Sequence, residues 1–151
     1  MLKSQFDINF DVQGLTGFEK QLKRLGNATA GRVLRGGAKS AMNKIFRPTV
    51  AAAPVGPRRN MRKAIKLTSF SGRGGFAAVA GIYVRRGTAP HWHLIEFGTQ
   101  QRRHRGGKGR TTGRTPANPF FRRSMDNNTG AAIEQFKRFM QRRIAKEMAK
   151  R

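Results

Sequence analysis

Hydrophobic and polar residues alternate near the start of the chain. Phe6, Ile8, Phe10 and Val12 are separated by Asp and Asn residues, so every second side chain is apolar. A period of two is typical of a strand with one buried face, because successive side chains of a strand point to opposite sides. The pattern predicts a strand over residues 4–12.

Helical spacing follows this strand. Residues 16–19 match a capping box, in which a hydroxyl and a carboxylate satisfy free amides at a helix start, and predict a helix over 16–26. Apolar residues recurring every three or four positions predict a second helix over 29–52. We expect Gly36-Gly37 to weaken its middle, and Pro48 to kink it or end its regular part.

The middle of the chain favours strands. Residues 64–70 and 76–85 are rich in apolar and β-branched residues and flank a Gly-rich turn, so they predict an antiparallel hairpin. Residues 100–115 contain only Gly, Thr, Gln, His, Arg and Lys, a composition that cannot form a core and predicts a mobile basic loop. A later apolar stripe predicts a long C-terminal helix over 118–149, with an interruption near Thr129-Gly130.

These elements fit one α+β domain over residues 1–151, with a small, mostly antiparallel sheet packed by two or three helices. The chain has no cysteine, which excludes disulfides and Cys-based zinc sites. It has no apolar stretch near the length of a membrane span, and its first residues do not resemble a signal peptide. We therefore expect a soluble protein made in the cytoplasm.

Positive charge dominates the composition. There are 32 Lys and Arg residues against 7 Asp and Glu, a formal net charge of +25. Between Lys20 and Met125 the only acidic residue is Glu96. Self-repulsion on this scale would be relieved by a polyanion, an acidic protein surface or a larger assembly. The charge therefore predicts a protein that binds and assembles, not an enzyme.

His91, His93 and Glu96 form the one cluster that resembles a metal site. Zinc takes three or four ligands, and two histidines at a spacing of two face the same way only on a strand. The alternative, which we favour, is that the large apolar residues of this segment pack in the core while the histidines lie at an edge or subunit contact. Those apolar residues are Trp92, Leu94 and Phe97. No acid–base constellation or phosphate-binding motif stands out, so we predict no catalytic residue, metal or cofactor.

The basic loop is the candidate for contact with a partner. Its cations are Arg102, Arg103, Arg105, Lys108, Arg110 and Arg114. Gly-rich basic segments of this kind bind single-stranded nucleic acid loosely through charge. Contact with DNA, contact with an acidic protein surface, and a solvated loop without a role outside assembly all fit the composition.

Two short motifs follow the hairpin in order. The first is Leu94-Ile95-Glu96-Phe97-Gly98-Thr99, and the second is Pro116-Ala117-Asn118-Pro119-Phe120-Phe121. With the elements before them, they resemble the tail-completion, or head–tail joining, family of tailed bacteriophages over nearly the whole chain. One departure is clear. The family usually has a small polar turn and a leucine where this chain has residues 57–61.

The resemblance implies a non-enzymatic virion protein, assembled in the host cytoplasm, that forms a homo-oligomeric ring at the neck. The ring is expected to be six-fold, and to contact neighbouring neck or connector proteins, tail terminator or tail-tube proteins, and packaged DNA. The two motifs would hold the fold and the interface. Because Glu96 is the single acid of a long basic stretch and lies in the first motif, we expect it to be a structural or interface partner for a nearby arginine and not a catalyst.

Composition alone favours a different function, that of a ribosomal or other RNA-binding basic protein, whose arginines would contact phosphates. Such proteins expose aromatic side chains for base stacking. Most phenylalanines of this chain lie at periodic, core-like positions, which counts against this alternative.

Overall fold

Helices dominate the computed structural model, which describes residues 16–56, 60–72, 77–103 and 111–150. Within these ranges the elements, in chain order, are α1 (Thr16–Leu25), α2 (Asn27–Ala52), α3 (Asn60–Ala64), β1 (Ile65–Ser71), β2 (Ala78–Val84), α4 (Trp92–Phe97), β3 (Arg102–Arg103), β4 (Thr111–Gly113) and α5 (Phe120–Met148).

The α+β class predicted from the sequence is confirmed. Helices α1, α2 and α5 match the three predicted helices to within two residues at each end. Strands β1 and β2 pair antiparallel, from Ile65↔Val84 at the open end to Ser71↔Ala78 near the turn. The strand predicted over residues 4–12 lies outside the described residues.

Both long helices are continuous where the sequence predicted breaks. Helix α2 runs through Gly36-Gly37 and Pro48, and α5 runs through Thr129-Gly130. The interruption predicted at Thr129-Gly130 is therefore wrong, and α2 does not end at Pro48. Glycine lowers helix propensity by only about 1 kcal/mol, which packing against another helix readily offsets.

Two further predictions are corrected. Of the two histidines considered as a strand pair, His93 lies in a short helix, Trp92–Phe97, and His91 is the residue before it. The two ends of the predicted loop 100–115 form a small hairpin, in which Arg102 pairs with Gly113 and the register shifts at the next residue. This pairing uses backbone groups, so a composition without apolar residues does not prevent it.

Helices α2 and α5 form the most extensive contact of the fold and run antiparallel. Gly36 packs against the Phe139 ring, and one turn further along α2 the Gln135 amide donates to Ser40 Oγ at 2.9 Å. Gly36 and its neighbour Gly37 both lie where α2 and α5 approach each other closely. A Cβ at Gly36 would lie 2.9 Å from Phe139 Cζ, and one at Gly37 would lie 3.0 Å from Phe136 Cε2.

The core divides into two hydrophobic clusters along this helix pair. The sheet-side cluster includes Ile45, Ile65, Ile82, Trp92 and Phe120. The α1-side cluster includes Leu22, Leu25, Val33, Met140 and Ile144. Hairpin β1–β2 packs on α2 in the sheet-side cluster, and α1 packs on α2 and α5 in the α1-side cluster.

Helix α5 contributes to both clusters through a single winding row. Five of its six buried residues are separated by multiples of four positions: Phe120, Ser124, Ala132, Met140 and Ile144; the sixth is Phe121. Because an α-helix has 3.6 residues per turn, a spacing of four moves the buried direction by about 40° at each step. The first half of α5 therefore faces the sheet-side cluster and the second half faces the α1-side cluster.

Candidate functional site

The two sequence motifs meet in space between α4 and α5. The Asn118 amide donates to the Ile95 carbonyl at 2.8 Å, and the Thr99 amide donates to the Thr115 carbonyl at 2.9 Å. In return, the Thr115 amide donates to Thr99 Oγ1 at 3.0 Å. We call residues 94–99 together with 115–121 the α4–α5 junction. Motifs separated in the sequence thus form one structural unit.

Glu96 caps α5 from a distant part of the chain. Its Oε2 accepts from the Phe121 amide at 3.0 Å and its Oε1 accepts from the Arg122 amide at 2.9 Å. The first amides of a helix have no intrahelical partner, and the residue at the N-cap, Pro119, makes no side-chain cap. A buried carboxylate satisfies two of these amides and also complements the positive end of the helix dipole.

This arrangement corrects one expectation for Glu96. The sequence predicted an arginine partner, but the partners within the described residues are two backbone amides. The sequence signal was the isolation of this acid within a basic stretch. It identified an unusual residue without identifying what that residue binds.

Gly98 is fixed by its backbone conformation and by its surroundings. Its φ of 72° and ψ of −176° fall in a region that is essentially restricted to glycine. A Cβ at this position would lie 2.8 Å from the Ala117 amide nitrogen and 2.9 Å from the Thr115 carbonyl oxygen. These are backbone atoms, which cannot move aside as the end of a side chain can. No other residue type fits here without displacing the start of α5.

The apolar residues of the junction divide between core and surface. Phe120 and Phe121 are buried in the sheet-side cluster, as is Trp92 just before the junction, and Leu94 and Ile95 are half-buried. Phe97 is 61% exposed, so the expectation that it packs in the core is wrong. A cleft of about 470 Å³ lies beside it.

That cleft is polar along much of its wall. Its lining includes the backbone around Gly98 together with Gln100, Gln101 and Arg114. An aromatic ring, two amides and a guanidinium can together bind a carboxylate or an amide-bearing side chain. The junction therefore borders a partly polar surface cleft, while most of its residues serve the fold.

The other predicted site residues are dispersed. His91 and His93 are exposed, and Glu96 is engaged by the two amides. Residues 16–56, 60–72, 77–103 and 111–150 contain no group of three His, Cys, Asp or Glu side chains placed to hold a metal ion. Of the loop cations, Arg102 and Arg103 belong to β3 and Arg114 lines the cleft. Arg105, Lys108 and Arg110 lie outside the described residues.

An exposed apolar surface on the hairpin was not predicted. Phe70, Val79 and Tyr83 are 50%, 49% and 42% exposed, and Phe70 stands directly opposite Val79 on the neighbouring strand. We call this surface the hairpin outer face. The signal was present in β2, where apolar residues occupy both phases of the strand, although only one phase faces α2.

Comparison of the chain with protein-family models, with curated proteins and with solved structures finds no match. In the part of the chain that the structure describes, no helix combines the length and the apolar character needed to cross a membrane.

Proposed function

We propose that this chain is a structural virion protein of a tailed phage, and that copies of it form a ring at the head–tail junction and join tail to head. The observation that carries the proposal is the hairpin outer face, an apolar surface on a protein whose remaining surface is strongly basic. The assignment to a phage virion rests on the order of the two motifs and on the family that they resemble.

The hairpin outer face has the chemistry of a subunit contact. Exposed apolar patches with polar surroundings mark interaction sites, and a two-stranded sheet is marginal unless something covers it. Within the described residues β1 and β2 pair with each other alone. A second copy of the chain is the occupant that we propose, because a heterologous contact repeated around an axis closes a ring.

The junction contributes to assembly at its surface. Glu96, Gly98 and the two phenylalanines of the second motif are used inside the fold, which leaves Phe97 and the adjacent cleft for a neighbouring subunit. Neck or connector proteins, tail terminator or tail-tube proteins and packaged DNA are the proposed partners. The basic loop would contact the DNA or an acidic neighbour.

A specific observation also supports RNA binding as a second candidate. Phe70, Tyr83 and Phe97 are exposed, and such side chains can stack on unpaired bases beside phosphate-binding arginines. In that case the hairpin outer face would bind RNA, and the chain would remain monomeric.

Oligomeric state separates the two candidates. We expect mass photometry and negative-stain electron microscopy of the purified chain to show discrete rings, which should also appear in virions. Replacing Phe70 and Val79 by Thr, which keeps β propensity, should dissociate the rings. Replacing the exposed Val55, which lies outside the hairpin, by Thr should leave them intact. A wild-type chain that stays monomeric and copurifies with ribosomes, and whose Phe70 and Val79 variant loses RNA, would replace the first candidate by the second.

A further inference from the structure

Among the described residues, α1 covers one side of the pair formed by α2 and α5, and the other side carries exposed side chains. Adjacent residues of a helix project about 100° apart, so Gly36 and Gly37 face the two sides of the contact. Gly37 packs on Met140, a member of the α1-side cluster. Gly36 packs on the Phe139 ring, which itself borders the α1-side cluster, and the Gln135 amide meets Ser40 beside this contact, toward the other side of the pair.

Cations line this second side along both helices. Arg32 and Lys39 lie four residues before and three residues after Gly36, and Arg142 and Lys146 lie three and seven residues after Phe139. Residues at these spacings share a helix surface. Arg35 and Arg138 extend the same surfaces outward. We call the side with these cations the helix-pair face, which consists of Arg32, Arg35, Lys39, Arg138, Arg142 and Lys146, all exposed.

Acidic groups do not balance this face. Helix α2 contains no Asp or Glu, and the ion-paired acids of α5 bind other cations: Glu134 pairs with Lys137, and Glu147 with Arg143 and Lys150. Among the described residues, no carboxylate oxygen lies within 4.0 Å of a side-chain nitrogen of the six. Arg32 donates to the Ala28 carbonyl and to Thr29 Oγ1 of its own helix, which are uncharged acceptors. Within the described residues, no carboxylate therefore neutralises the charge of the six.

The type of anion follows from what the face lacks. The exposed large hydrophobic residues of the described chain are Val55, Phe70, Val79, Tyr83 and Phe97, and none of them belongs to α2 or α5. The cores of protein interfaces are enriched in aromatic residues and methionine, and insertion into a lipid surface requires an apolar stripe. A regular polyanion requires neither. Along the axis of a duplex the phosphates of one strand repeat every 3.4 Å, so Arg32 and Lys39, roughly 10 Å apart along α2, can each meet a different phosphate.

We propose that the helix-pair face binds the phosphodiester backbone of duplex nucleic acid. The site is separate from the basic loop that the sequence singled out, and it does not depend on ring formation. Contacts of this kind read charge and spacing without base sequence.

Binding of the full chain to a short duplex DNA, measured by fluorescence anisotropy over a range of salt concentrations, tests this site. Replacing Arg32, Lys39, Arg142 and Lys146 by Gln should flatten the plot of log K against log salt by about three to four units, at about 0.9 per phosphate contact. The affinity near physiological salt should fall roughly tenfold or more. Replacing the two arginines by Lys and the two lysines by Arg keeps the charge and should retain the slope.

A matched variant separates the site from general charge loss. Four exposed basic residues outside the face serve as the control: Lys20, Lys23, Lys63 and Arg85. Their replacement by Gln also removes four positive charges. The site is supported if this variant keeps most of the slope, and overturned if both variants change it equally. It is also overturned if Gln at the loop cations alone removes the slope. An RNA duplex of the same sequence identifies which nucleic acid binds better. Equal binding to poly-glutamate, lost with the same four residues, would assign the face to an acidic protein instead.

Discussion

The α4–α5 junction and the crossing of α2 with α5 both contain glycines at a close approach, but the atoms that crowd those glycines differ. At the junction, Gly98 faces the backbone of residues 115–117. At the crossing, Gly36 and Gly37 face side chains that can move, chiefly Phe139 and Met140. The junction is also held by hydrogen bonds to backbone amides, whereas the crossing is held mainly by apolar packing. Position rather than residue type therefore decides how much a change will cost.

The largest effect is expected at Gly98. Gly98→Ala should lower the free energy of unfolding by roughly 3–5 kcal/mol, because it combines a disfavoured backbone conformation with a clash against fixed atoms. Gly26 is the matched control, since its φ of 79° and ψ of 154° are similar but a Cβ there would meet nothing within 4 Å. Gly26→Ala should cost roughly 1–3 kcal/mol. Urea denaturation measures both, and equal losses would show that the clash contributes nothing.

Loss of the Glu96 cap comes next. Glu96→Ala should destabilise the fold by roughly 3 kcal/mol, because it leaves two helix amides at a buried site without an acceptor. Glu96→Gln keeps the shape and one acceptor oxygen, so it should fall between Ala and wild type. Glu134→Ala is the control for the loss of an acid on the surface, and should change stability by less than about 1 kcal/mol. The cap would be refuted by a Glu96→Ala variant with wild-type stability and an unchanged helical circular dichroism signal.

The smallest effect, and the one that changes sign, concerns glycines within the long helices. Gly37→Ala should destabilise by about 1–2 kcal/mol, since the Phe136 ring and the Met140 sulfur must move by a few tenths of an ångström. Gly130→Ala places the same methyl group in open space in the middle of α5, and should stabilise by up to about 1 kcal/mol. Thermal denaturation of the two variants tests this contrast. If both variants shift the melting temperature in the same direction, close packing around Gly37 does not determine the effect of the added methyl group.

The regular spacing of apolar residues predicted most of the fold. It failed where residues far apart in the sequence are in contact. The spacing of apolar residues located α1, α2, α5 and the hairpin, because each of these elements has one continuous buried surface. The six-residue α4 is too short to establish a period. Gly36 and Gly37 were interpreted as weak points, since propensity alone does not reveal that another helix packs there.

The site was only partly predictable for the same reason. Glu96 stood out as an isolated acid, but the amides it binds lie 25 and 26 residues away and no local pattern connects them. Phe97 was assigned to the core because it is large and apolar, yet the helical turn from Trp92 directs it outward. The cations of the helix-pair face were visible individually. That these cations lie on one side of the helix pair follows only from the contact between Gly36 and Phe139 in the structure.

The winding row of buried residues on α5 has a mechanical consequence. Because that row follows a screw path from Phe120 to Ile144, sliding the helix along its axis requires it to rotate as well, and rotation alone would detach both ends together. The rotation of α5 about its own axis is therefore constrained by both clusters at once, through Phe120 at one end and through Met140 and Ile144 at the other.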